Sequence, residues 1–434
     1  MRDALAPGLA GTAAATQPFA GWRQGLRYGA MGFPLAFVAL PLYVVLPHHY
    51  ANNLHVPLTA LGTLMLCARL ADAVVDPLLG RWGDLLYAHS NRHVLHWGGI
   101  AALALALGFA LLFFPQVSSP SALLGWAAAA LLLTYTAYSA LAILHQSWGA
   151  RLGGDEGQRG RVVAWREGLG LLGVVLASLA PFTLGMAATT VLFVLALAGG
   201  WWAWSVAVQP MVQSRSHGAM ASAPLWLPFT RQQFRALFAV FMVNGIASAV
   251  PATLILFFVQ DRLQAPADMQ PFFLGSYFLC AALAMPLWLR LVPRIGLART
   301  WGLGMLMAVA VFVWASQLGA GDAAAFVVVC ALSGVALGTD LALPAALLAG
   351  TIASAGDQGQ AEGAYFGWWN FASKFNLALA AGVSLPLLGL LGYAPGAQDA
   401  QALHALTLAY CAVPCALKLL AAALLYVFFI RKQP

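Results

Sequence analysis

Charge is what this chain has least of. Only 8% of its 434 residues are Asp, Glu, Lys or Arg, and just 14 of them are acidic. The five cysteines, Cys67, Cys280, Cys330, Cys411 and Cys415, all lie in apolar stretches and have neither zinc-type nor disulfide spacing. They read as small buried hydrophobes. No glycine-rich loop leads into Lys and Ser or Thr, so the phosphate cradle of an ATP-driven pump is absent. The histidines are not spaced as metal pairs, and no Ser–His–Asp grouping presents itself. The expectation is therefore no enzyme and no cofactor; the chemistry is binding and movement.

What the chain has instead is apolar surface. Hydrophobic residues make up 62% of it and the mean hydropathy is +0.81, well above the roughly half-apolar composition of a soluble domain. The apolar runs are about 20 residues long, the length needed to cross a bilayer as a helix. In lipid every backbone group needs an internal partner, which leaves helices or a closed barrel. Continuous Leu- and Ala-rich runs with little alternation select helices. The fold class expected is an all-α membrane protein of twelve spans.

The formal charge of +7 does not point to nucleic acid, because the basic residues are scattered near the ends of spans rather than gathered in a patch. Their placement sets the topology instead. With the N-terminus inside, inner loops hold Arg23, Arg27, Arg81, Arg92, Arg151, Arg159, Arg161, Arg215, Arg231, Arg235, Arg290, Arg294 and Arg299, and the tail adds Arg431 and Lys432. The outer loops hold essentially Arg262 alone. Both termini are thus expected in the cytoplasm of a bacterial-type inner membrane. The first apolar segment, after Arg27, is too long for a signal-peptide core and reads as a retained span.

The longest polar interruption, "QPMVQSRSHGAMASAPLWLPFTRQQFRA", joins two halves of six spans each. The expected division is a lead at 1–26, a six-helix half at 27–209, a central loop at 210–232, a second half at 233–430 and a tail at 431–434. Six spans, a basic loop and six more spans match the two-half plan of major-facilitator transporters. Span two leaves the membrane through "DPLLGRWGD" and span eight through "MPLWLRLVPRIGLART", a weak echo between the halves.

Against so sparse a background, "RLADAVVDP" at 69–77 stands out. Positions three, four and seven apart share a helix face, so Arg69, Asp72 and Asp76 form one polar stripe on span two. An ionisable side chain in hydrocarbon costs several kcal/mol and normally faces a cavity or a partner. Arg69 offsets one carboxylate; the second repels the first unless a proton or a metal cation sits between them. Asp72 and Asp76 with a nearby hydroxyl suit Na⁺, and the same pair suits H⁺. The other reading of Asp76 is structural: with Pro77, Gly80 and Asp84 it forms the inner end of the span. Elsewhere Arg166 and Glu167 open span five, Asp340 precedes a proline that could unwind span ten, and Lys374 lies deep in span eleven. Lys418 in span twelve either snorkels or pairs, while His145 and Gln146 read as satisfied polar residues. Tyr365, Trp368, Trp369 and Asn370 precede Lys374; the tryptophans fit either an interfacial anchor or a flat wall for a sugar ring or amphiphile.

"RLADAVVDPLLGRWGD" resembles the span-two signature of the glycoside–pentoside–hexuronide:cation symporters, the melibiose-permease-like branch of the major facilitator superfamily. "EGAYFGWWNFASK" is similar to a second signature of that branch, and "YFLCAALAMPLWLRLVPRIG" to its span-eight segment. The resemblance implies a twelve-helix major facilitator fold. It also implies a coupling cation at Asp72, Asp76 and Thr136, Na⁺ or H⁺, with Asp72 and Asp76 as the metal ligands in the sodium case. Arg69, Arg166, Trp369, Lys374 and Tyr365 would face the substrate. Sugar-transporting relatives carry acids in span four, where this chain has Ser139, and in span one, where Phe33–Ala36 has none. The implied function is symport of a small solute such as a sugar or glycoside. The alternatives are a lysolipid or amphiphile carrier and a non-transporting membrane factor. The partners implied are a small-molecule solute or amphiphile and membrane lipid, without nucleic acid, for a protein acting as a monomer.

Overall fold

A computed structural model describes residues 19, 21–211, 224–394 and 396–431. Most of the expected lead, Arg215 with most of the central loop, and Lys432 lie outside the described residues.

Among the described residues, eleven helices are long and apolar enough to cross a membrane. They are α1 (Gly32–Ala51), α3 (Asn91–Phe113), α4 (Pro120–Arg151), α5 (Glu156–Thr183), α6 (Gly185–Ser205), α7 (Gln232–Arg262), α8 (Phe272–Ile295), α9 (Leu297–Ala315), α10 (Ala323–Ser354), α11 (Glu362–Leu390) and α12 (Ala400–Ile430). The twelfth, α2 (Leu58–His89), is a 32-residue helix with Arg69, Asp72 and Asp76 inside its apolar run. Its lipid face is nonetheless legible. Leu66, Leu70, Val74 and Leu78 recur every fourth residue opposite the two aspartates, and all four are exposed. Polar caps start several helices: Ser90 accepts from the His93 N–H, Ser119 from Ala122, Asp155 from Gln158 and Asp399 from Ala402.

A short helix, Trp22–Gly29, precedes α1; it begins inside the stretch read from sequence as a lead and runs across its expected end at residue 26. It is held by close approach to α5, since a Cβ on Gly25 would lie 2.1 Å from the Trp165 ring. α1 is irregular, with π-helical turns at Pro41–Val45 and His49–Asn53. By contrast α10 runs unbroken through Pro344, so the local unwinding expected there does not occur. A single proline removes one hydrogen bond, and the packed neighbours hold the helix through it.

The first six helices pack as α1 with α5 and α6, α2 with α4, and α3 with α4 and α6. The second six repeat the pattern shifted by six: α7 with α11 and α12, α8 with α10, and α9 with α10 and α12. The bundles meet through α2 on α11, α5 on α8, α4 on α11 and α5 on α10, a set that maps onto itself under the same shift. This is a pseudo-twofold pair of six-helix halves.

Candidate functional site between the two halves

Lys374 of α11 reaches across the interface to α2. Its Nζ lies 2.6 Å from an Asp72 carboxylate oxygen and 2.7 Å from Asp76. It also donates to Ser139 Oγ of α4 at 2.7 Å, and that hydroxyl donates to Asp72 at 2.7 Å. Asp76 is fully buried and Asp72 nearly so. Three helices from two halves thus supply one cluster: two carboxylates, a hydroxyl and an ammonium. The expected repulsion between the aspartates is relieved by a side chain from the opposite half rather than by a charge on their own helix.

That geometry corrects several expectations. Arg69 is not the counter-charge: its guanidinium lies 3.7 Å over the ring of Tyr43 on the π-helical part of α1, a cation–π contact. The hydroxyl on the carboxylates is Ser139, whereas Thr136 is exposed one turn away. Trp369 is buried and stacks on Phe241 at 3.8 Å. Tyr365 is buried too and donates to Asp357, which also binds Arg231. Both aromatics are therefore packing residues of the second half, because the helix face that carries them turns inward to α7. Trp368 donates to the Leu225 carbonyl beside the central loop. Arg166 pairs with its neighbour Glu167 and lines a small crevice with Tyr28, Gln146 and Phe366. His145 is a core residue that stacks on Tyr28 at 4.3 Å and bonds its carbonyl through Nε2, while its buried Nδ1 has no partner, so it is only half satisfied.

From Lys374 towards the end that carries the basic loops, the halves are tightly joined. Asn370 donates to Gln146 at 2.7 Å. Two helical turns further along α11, α2 and α11 touch backbone to backbone, since a Cβ on Gly80 would lie 2.0 Å from the Gly363 carbonyl oxygen. Asp84 accepts the free N–H groups of Gly363 and Ala364 at the start of α11, each at 2.8 Å. Arg151 of α4 completes a buried triad, 2.9 Å from Asp84 and 2.8 Å from Glu362. The bundle is closed at the basic end. Glu362 was invisible as a partner from sequence; its only signal was the rarity of acids in this chain.

Removing Arg151 leaves two buried carboxylates without their cation, a loss of about 3–5 kcal/mol by analogy with other broken buried pairs. Arg151→Gln is accordingly expected to shorten the half-life of the detergent-solubilised protein on heating, followed by tryptophan fluorescence. An unchanged half-life would show that the triad contributes nothing to the closed arrangement.

A second charge cluster lies wholly inside the C-terminal half. Asp340 of α10 accepts from Trp301 Nε1 at 2.8 Å, Asn244 at 3.1 Å and Ser248 at 3.3 Å, and pairs with Lys418 of α12. Lys418 also donates to Asn244 at 2.8 Å. Lys418 pairs rather than snorkels, since its ammonium reaches a carboxylate sooner than water.

Twelve membrane helices in two matched bundles, with ionisable residues bridging them, define a multi-pass membrane transporter of the major facilitator fold. The chain belongs to the MFS/sugar transport protein family, whose model matches residues 27–432. Among solved structures it is similar to a bacterial homologue of the iron transporter ferroportin in an outward-facing state. That match has a TM-score of 0.68 at 16% identity, covering 94% of this chain and 98% of the other. It is also similar to the E. coli fucose:proton symporter, with a TM-score of 0.67 at 13% identity over 92% and 98% of the two chains. A search of curated protein sequences finds no match.

Proposed function

We propose that the protein is a cation-coupled symporter of a small solute such as a sugar or glycoside, of the melibiose-permease-like branch, working by alternating access. The observation that carries this reading is the Lys374 ammonium seated between Asp72 and Asp76 across the interface of the two halves. A sodium ion or a proton arriving at the carboxylates competes with that ammonium. Sodium replaces its charge; a proton removes one of its counter-charges. Either weakens the bridge between α2 and α11 and so alters the balance between arrangements of the two halves. The cation is thereby made a condition of movement, which is what coupling requires.

In this reading the basic end is cytoplasmic, both termini lie there, and the arrangement described above is outward-facing. Arg69 with Tyr43, and Arg166 with Glu167, flank the space where a solute would meet the bridge. The sugar-transport description of the family and the fucose:proton symporter among its structural neighbours support a sugar-like cargo.

The test is uptake by proteoliposomes of a panel of labelled sugars and glycosides, with Na⁺ and pH gradients imposed separately. One solute is expected to accumulate under one gradient and to equilibrate without it. Indifference of every solute in the panel to both gradients would refute coupling.

A further inference from the structure

Behind the Asp340–Lys418 pair the C-terminal half encloses a cavity of about 190 Å³, built from α7, α8, α9, α10 and α12. None of its lining residues belongs to the Asp72–Asp76–Lys374 cluster or to the N-terminal half. Its walls are mostly apolar and include the aromatic rings of Phe273, Tyr277, Phe278, Phe312 and Tyr410. For scale, an engineered apolar cavity of about 150 Å³ holds a benzene molecule. Ala252 on α7 and Leu274 on α8 line the space and are themselves exposed, which puts its mouth between those helices.

One end of this space is polar. Lys418 has three donors and spends them on Asp340 and Asn244, so at least one N–H remains where the side chain meets the cavity. Two helical turns along α10 from Asp340, Ser333 lines the middle of the space, and its buried Oγ has no hydrogen-bond partner. Pro251 offers no N–H to the carbonyl one turn back, at Ala247, which lines the cavity one turn from Asn244. The polar end therefore presents a spare donor together with one unpaired carbonyl. The charges of Lys418 and Asp340 cancel each other, so a charged guest would bring an unbalanced charge into a low-dielectric site.

We infer that this cavity is a second ligand site, separate from the pathway between the halves, for a small neutral molecule with an aromatic or alicyclic body and one hydroxyl group. The hydroxyl oxygen accepts from Lys418, and its proton goes to the freed Ala247 carbonyl. The ring fills the aromatic end. An acid or an amine of the same shape is excluded by charge, and a hydroxyl-free ring leaves the buried donor unmet.

The test uses the full-length protein in lipid nanodiscs, with empty nanodiscs as the partition blank and fluorine NMR of para-fluorophenol as the readout. Saturable line broadening is expected, reversed by excess phenol. Para-fluorotoluene, which lacks the oxygen, should bind about tenfold more weakly, the worth of one hydrogen bond to a charged group. Ser333→Leu, which fills the middle of the cavity, and Ala336→Ile, which narrows the apolar wall, should each abolish the saturable component. Equal affinity for the two probes, or saturable binding retained in both variants, would overturn the site. If one variant does not fold, the other decides. Binding is read without any gradient, so failure here leaves the symport reading intact, and failure of gradient-driven uptake leaves this site intact.

Discussion

Replacing Asp76 by Asn is expected to abolish gradient-driven accumulation while leaving an inserted, folded protein. The change keeps the shape of a fully buried side chain and removes its charge. Lys374 still has Asp72 and Ser139, at 2.6 and 2.7 Å, so no ammonium is stranded and the bundle keeps its bridge. What disappears is the second carboxylate for which cation and ammonium compete. One charge moved through about 100 mV is worth ~2.3 kcal/mol, an accumulation ratio of roughly fifty. The variant should fall from a ratio of that order to simple equilibration in proteoliposomes. Asp72→Asn is expected to behave alike, since Asp72 shares the same ammonium. Accumulation that survives in both variants would remove the carboxylate pair from the coupling mechanism.

The second large effect is expected from a single methyl-bearing carbon at the closed end. A Cβ on Gly363 would lie 2.1 Å from the Gly80 carbonyl oxygen, and one on Gly80 would lie 2.0 Å from the Gly363 oxygen. Neither backbone can give way locally, because Asp84 holds the N–H groups of Gly363 and Ala364. Gly363→Val therefore drives α2 and α11 apart. Overpacking of this kind costs ~1–3 kcal/mol, enough to shift a two-state balance by about 5- to 150-fold. The expected result is a longer spin-label distance between the α2–α3 and α8–α9 loops, together with transport reduced about tenfold or more. A wild-type distance distribution with wild-type uptake would mean that the contact does not govern closure.

Much of the architecture was readable because lipid is a demanding solvent. It permits few folds, and it makes each buried charge conspicuous. The twelve spans, the two halves and the stripe of Asp72 and Asp76 follow from run lengths and from the scarcity of charge. The chain has three lysines; two lie inside spans, and each of these answers a buried aspartate. Their rarity singled them out, but not their partners. Arg69 was the natural counter-charge because i and i+3 neighbours share a helix face. The tertiary fold instead turns Arg69 onto Tyr43 and gives both carboxylates to a residue roughly three hundred positions away. Trp369 and Tyr365 misled for a related reason. Their sequence neighbourhood with Lys374 is real, but a helix presents successive residues about 100° apart, and theirs is the packed face.

The sequence by itself determined the solvent, the class of fold, the distribution of basic loops and which residues could afford to be charged only with a partner. Composition and helical periodicity are local properties, and they suffice for that. Only the tertiary structure decided who those partners are. It brought Lys374 between Asp72 and Asp76, closed Asp84, Arg151 and Glu362 over the end of α11, and set Asp340 against Lys418 at the edge of a cavity. Pairing across helices depends on how the two bundles rotate and meet. Interaction energies of a few kcal/mol between residues far apart in the chain fix that, and no local pattern records it.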